Sequence, residues 1–185
     1  MLQKILNYFP SMSLNKKKSL RIANTKDIPA IIQLYTETVL TVCKTDYSQA
    51  QLEIWALLGN VTSKWETRIQ DHYFLVAEFA AQIVGFASID NTGYLDVFYV
   101  HKDHQRQGIA GMLYQELENH AAGNNCNERI IADVSKTARP FFEKKGFSIV
   151  RVQENLLQGQ LLINYKMEKA IGDFNRAYKL EESTS

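Results

Sequence analysis

The residues best suited to chemistry run from Val100 to Gly111, Val-His-Lys-Asp-His-Gln-Arg-Gln-Gly-Ile-Ala-Gly. Ahead of them lies a β-branched and aromatic run, Tyr94 to Val100. Behind them Leu113, Leu117 and Ala121 fall on one face of a helical pattern. The segment reads as a strand, a tight loop and a helix N-terminus, with glycine and alanine where the backbone must come close to something. Unpaired N–H groups and the positive end of the helix dipole make such a loop an anion site. It is neither of the common phosphate loops, because Gly-x4-Gly-Lys-Ser/Thr and Gly-x-Gly-x-x-Gly are both absent. His101 and His104 stand beside the loop, but no third ligand has metal spacing, so no metal site is expected. His72 and His120 carry no motif. Cys43 and Cys126 lack Cys-x-x-Cys spacing and read as free thiols of a reducing cytosol.

Around this loop the composition is ordinary. A chain of 185 residues fits one domain with an ample core. Hydrophobic and charged contents of 45% and 22% are those of a globular protein. A formal net charge of +1 gives no electrostatic reason for a nucleic-acid or anionic-membrane partner. No stretch is long and apolar enough to span a bilayer, and residues 1–10 lack the apolar core of a signal peptide. A cytoplasmic protein is expected. Residues 1–18, with the basic run Lys16-Lys17-Lys18 and a second candidate start at Met12, read as a flexible extension, and residues 171–185 as a tail.

The elements that must position the loop follow from periodicity. Leu20 to Ala23 reads as a short strand. Helices are expected from about Asp27 to Val42, Ser48 to Leu58 and Thr62 to Gln70, the second opened by a Ser cap. Tyr73–Phe79 and Ile83–Ile89 form a hairpin-like pair, and Tyr94–Val100 follows a turn at Asn91-Thr-Gly93. After the loop and its helix come a buried strand at Ile130–Val134 and a helix from Thr137 to Lys145 that Gly146 stops. Strands at Phe147–Val152 and Leu161–Met167 then flank a Gln158-Gly159 turn. On the Tyr94–Val100 strand, alternation puts Tyr94, Asp96, Phe98 and Val100 on one face.

Gln105-x-x-Gly108-x-Ala110 after a strand ending in Val100 resembles the acyl-CoA pyrophosphate loop of the GNAT superfamily of N-acetyltransferases. A second block, Ala138-Arg-Pro-Phe-Phe-Glu-Lys-Lys-Gly-Phe147, is similar to that superfamily's Ala-x-x-Phe/Leu-Tyr-x-Lys-x-Gly-Phe helix. The two stand in the right order with the expected strand and helix between them. The resemblance covers about Leu20 to Lys169, with the domain taken as 19–170. It implies a single-domain α/β fold: a mixed, mostly antiparallel sheet flanked by helices and splayed at the acyl-CoA site. The segment from Asp46 through Trp55 and the end Asn164–Met167 resemble the bacterial YafP-like branch.

The resemblance implies acetyl-CoA as acyl donor, with no metal. Arg106, Gln107, Gly108, Ile109, Ala110 and Gly111 would bind the diphosphate beside Gln105, while Phe98, Tyr99 and Val100 would pair with the pantetheine amides. A backbone N–H at Phe98 would polarise the thioester carbonyl. Asp96 would take the proton of an attacking amine, or else only bind a cationic substrate or pair with a lysine; both readings stay open. Asp46, Tyr47, Gln51 and Tyr94 are the acceptor-side candidates, whereas Trp55 is read as a core residue. Ser135 stands where the family often has asparagine against pantetheine. Phe142 stands where many members have the tyrosine that protonates the leaving thiolate, and phenylalanine cannot do so. The function implied is transfer of an acetyl group to a primary amine of a small molecule or protein by direct attack. The alternative is a non-catalytic acyl-CoA-binding regulatory module. No nucleic acid or membrane partner is implied, and a homodimer is left open.

Overall fold

The computed structural model describes residues 17–123 and 128–171. Most of the expected extension and tail, and Cys126, lie outside the described residues. Among the described residues the α-helices and strands run in chain order as β1 (Ser19–Ile22), α1 (Ile28–Val42), α2 (Gln49–Leu58), α3 (Thr62–Asp71), β2 (Tyr73–Phe79), β3 (Gln82–Ile89), β4 (Tyr94–Val100), α4 (Ile109–Gly123), β5 (Arg129–Ser135), α5 (Arg139–Lys144), β6 (Ser148–Leu157) and β7 (Gln160–Ala170).

Local chemistry explains where they start and stop. Asn24 and Asp27 form a capping box ahead of α1, and Ser48 and Gln51 form one at α2, each satisfying two amides the helix leaves open. Pro29 and Pro140 sit in first turns, where a missing N–H costs nothing. Gly146 at φ +87° and the Phe147 N–H to Phe142 O bond of 3.1 Å close α5. That helix is shorter than its sequence pattern, because Ser135 Oγ accepts the Ala138 N–H at 3.1 Å and holds the preceding residues in a turn. By contrast β6 and β7 outrun their apolar residues. Gln153 and Asn155 both donate to Asn164 Oδ1, at 3.1 and 3.0 Å, so polar cross-strand bonds carry the ladder onward.

The strands form one sheet in the order β1-β2-β3-β4-β5-β7-β6, antiparallel except where β4 meets β5. Alternation sorts the core into two layers. Leu75, Ala77, Val84 and Ala87 pack with α4 and α5 on one face. Phe74, Val76 and Phe86 pack with α1, α2 and α3 on the other. Ile109, Leu113, Tyr114 and Leu117 bury the inner face of α4, at about 1.5–3 kcal/mol for each fully covered apolar side chain. Gly85 lets that helix approach: a Cβ there would stand 3.0 Å from Ile109 Cγ2 and 3.1 Å from Tyr99 O.

Candidate active site

Two features of β4 make the site. The first is a bulge: Ser88 pairs with Val97 and Ile89 with Leu95, so Asp96 has no partner on β3. The second is a splayed seam. β4 pairs with β5 only at Tyr94↔Ile131 and Leu95↔Ala132, after which the two strands part. His101 N–H bonds Val84 O at 2.9 Å. Counting back by twos, Tyr99 also turns its amide to β3, while Phe98 and Val100 turn theirs to the open seam. Val100 O is already taken by Gln105 Nε2 at 2.6 Å and by Thr38 Oγ1 at 3.4 Å. The backbone groups of Phe98 and the Val100 N–H are thus what the seam offers, beside a Phe98–Phe141 ring stack with centroids 5.3 Å apart.

The loop after β4 is braced from within. His101 Nδ1 accepts the Asp103 N–H at 3.2 Å, and its Nε2 lies 3.3 Å from Glu37. Gln107 Nε2 reaches Asp103 O at 3.1 Å, and Lys18 Nζ bonds Gln107 O. Arg106 and Gly108 both take positive φ, 55° and 86°. Met112 N–H to Gly108 O, at 3.0 Å, opens α4, so the amides of Ile109, Ala110 and Gly111 precede the first helical bond. No hydrogen bond among the described residues uses them. A Cβ at Gly108 or Gly111 would meet nothing within 4 Å. Free amides, a helix N-terminus and open space fit a diphosphate, and the free seam fits an extended amide chain. The Gln105 side chain braces the loop through its bond to Val100 O.

The bulge overturns the expected facing of β4. Phe98 and Val100 pack toward α4 and α5, while Val97 and Tyr99 pack toward α1, α2 and α3. Asp96 lies with the second group and Tyr94 shares its side, because one unpaired residue reverses the alternation. Asp96 Oδ2 accepts from Arg68 Nε at 2.5 Å, and His72 Nδ1 lies 3.9 Å from the same oxygen. The open pairing of Asp96 is thus with an arginine, not a lysine. His72 Nδ1 also lies 3.3 Å from Ser88 Oγ, which is fully buried. Arg68 and His72 were not singled out from sequence. Lys64 and Arg68 stand four residues apart on one face of α3, and His72 is the extended residue that ends it, so the i, i+4 spacing of the two cations was the available signal.

The other acceptor-side candidates tie elements together. Tyr47 OH donates to Ile163 O at 2.8 Å and accepts the Lys136 N–H at 3.0 Å. Gln51 Nε2 donates to Leu161 O at 2.7 Å, and Asp46 Oδ2 accepts from Thr137 Oγ1 at 2.7 Å. Their polar atoms fasten the α1–α2 region to β7 and to the start of α5. Tyr94 OH donates to Asp133 Oδ2 at 3.1 Å, and burial, then that carboxylate, push its phenol above the ordinary value. Trp55 is half-buried with its ring 5.3 Å from Tyr47. Phe142 is a core residue, 2% exposed among Phe98, Phe141 and Phe147, which leaves it no open face for a cofactor. Cys43 is buried, and burial pushes its thiol up to about 11.

With this geometry the comparisons agree. The GNAT acetyltransferase domain family matches residues 43–169. This chain belongs to the GNAT family. Its membership makes it an acyltransferase. The GNAT chain is 29% identical over 142 residues to YafP of Escherichia coli K12, described as an uncharacterized N-acetyltransferase, covering 76% of this chain and 88% of that one. A GCN5-related N-acetyltransferase from Rhodopseudomonas palustris superposes with a TM-score of 0.78 at 27% identity, over 83% of this chain and 96% of that one. The PaiA N-acetyltransferase of Thermoplasma acidophilum, solved with coenzyme A, gives 0.69 at 19% identity, over 83% and 99%. Among the described residues of this GNAT domain no helix is long and apolar enough to cross a membrane.

Proposed function

We propose that this chain transfers the acetyl group of acetyl-CoA to a primary amine by direct attack, with both substrates bound at once. The observation that carries the reading is the seam: a free β4 edge that leads from the Phe98 amide to the unbonded amides of the Gly108 loop. Coenzyme A bound to a structural neighbour of the same fold supports that occupant. Bound along the seam, acetyl-CoA supplies an activated thioester and a thiol leaving group.

The chain's own residues do the rest. The amides of residues 109–111 and the α4 dipole neutralise the diphosphate. Phe98 N–H donates to the thioester oxygen as negative charge develops there. Asp96 receives the ammonium proton of the acceptor, directly or through water, once Arg68 has moved off Oδ2. His72, beside the same oxygen, is next in line for that proton. The amine nitrogen gains the acetyl carbon as the carbon–sulfur bond breaks, and the sulfur leaves as thiolate. An ordinary thiol pKa of about 8.5 lets it leave with little acid help, so Phe142 does not disable the reaction. Cys43 is buried and holds its proton, which favours direct transfer over an acyl-enzyme.

Turnover of acetyl-CoA with a panel of amines, followed by thiol release and product mass, tests the reading. Asp96→Asn should lower kcat at least tenfold, leave CoA affinity nearly unchanged, and shift or remove the acid limb of the pH–rate profile. Native turnover with an unchanged profile would reassign the proton to another group.

A further inference from the structure

We infer that the cavity beside Asp96 is an acceptor subsite for a zwitterionic amine, one whose carboxylate lies a few bonds from the reacting nitrogen, as in a free amino acid. The inference rests on the reading that Asp96 receives the amine. The cavity holds about 320 Å³ and is lined by Ser63, Lys64, Thr67, Arg68, His72 and Asp96. Small-molecule sites begin at about 300 Å³, so the space suits an acceptor of amino-acid size.

Its charges fix the chemistry. Lys64 and Arg68 are cationic, and Asp96 alone offers a carboxylate, already bonded to Arg68 at 2.5 Å. A simple alkylammonium that displaced Arg68 would leave the guanidinium unpaired beside its own positive charge. A zwitterion avoids this: its ammonium takes Asp96, and its carboxylate accepts the Arg68 fork with Lys64 close by. Two ion pairs replace one, and the cation leaves Asp96 as the substrate arrives. Arg68 also lies over the Trp65 ring at 5.0 Å, which keeps the guanidinium near the cavity after it swings.

The test is a panel of free L-amino acids, each matched with its carboxamide and its decarboxylated amine. Binding is read by calorimetry on the CoA complex, and turnover by thiol release with acetyl-CoA. At least one free amino acid should bind, and its kcat/KM should exceed those of its two partners by tenfold or more. Arg68→Gln and Lys64→Gln should erase that preference while CoA affinity stays native. Arg68→Lys, which keeps the charge but loses the fork, should also reduce it and serves if the glutamine variant folds poorly. The subsite is overturned if no free amino acid binds, if the carboxamide or the plain amine performs equally well, or if the preference survives at Arg68→Gln. Amino-acid binding without turnover would uphold the subsite and sink acetyl transfer; turnover confined to plain amines or protein lysines would do the reverse.

Discussion

Asp96 owes its surroundings to one unpaired residue. Had β3 and β4 run in strict register, its carboxylate would face α4 with Phe98; the bulge turns it to Arg68 and His72 instead. Bulges leave little trace in composition, so the residue was legible in the sequence but its facing was not. Phe142 shows the converse, a motif position whose side chain is wholly buried. Phe142→Ala should destabilise by about 3–5 kcal/mol, because Phe98, Phe141 and Phe147 lose their common contact. Phe142→Tyr should keep turnover within tenfold of native, since the thiolate departs without a dedicated acid. Urea titration and thiol release check the pair. A gain in turnover far beyond tenfold from the tyrosine would show that the native chain lacks an acid it needs.

Elements were read from sequence wherever period and caps agreed. The spans of α1, α2 and α3 match the expectation within two residues, and Ser48 caps α2 as expected. The β6–β7 hairpin was under-read because its ladder continues through Gln153, Asn155 and Asn164, residues an apolar count passes over. The β2–β3 turn is the least conventional link. Ala80 and Ala81 both sit at positive φ, 51° and 63°, where a two-residue hairpin turn favours asparagine and glycine. A left-handed alanine costs about 1–2 kcal/mol. Ala81→Gly should therefore stabilise the fold by roughly 1 kcal/mol, raising the thermal midpoint by about 2–4 °C. A midpoint at or below the native one would mean the turn is not strained.

At the scale of the molecule, one sheet separates two layers and the site lies where its central seam opens. Far from the seam, Arg21 bonds both Asp27 and Glu78 and ties β1, β2 and the entry to α1. The Arg21 bonds, followed by the Asn24 amide, hold the Asp27 carboxyl below its ordinary value against the opposing effect of burial. Such a group contributes stability above the unfolded carboxylate value, near about 3.9, and loses it as pH falls through the depressed folded value. Asp27→Asn should lower the urea midpoint at pH 7, with the gap from native closing as pH drops below that range. A gap that stays constant with pH would remove the charge from the explanation.

If the Gly108 loop and the β4 seam hold acetyl-CoA, a calorimetric titration of CoA into the native protein and into Gly108→Val will separate the two. Valine brings a side chain into the open space before α4 and strains a backbone at φ +86°. The native chain should bind CoA, and the variant should lose tenfold or more in affinity, about 1.4 kcal/mol, with the circular dichroism of the fold retained. Equal affinities in two folded proteins, or no binding by the native chain, would contradict it.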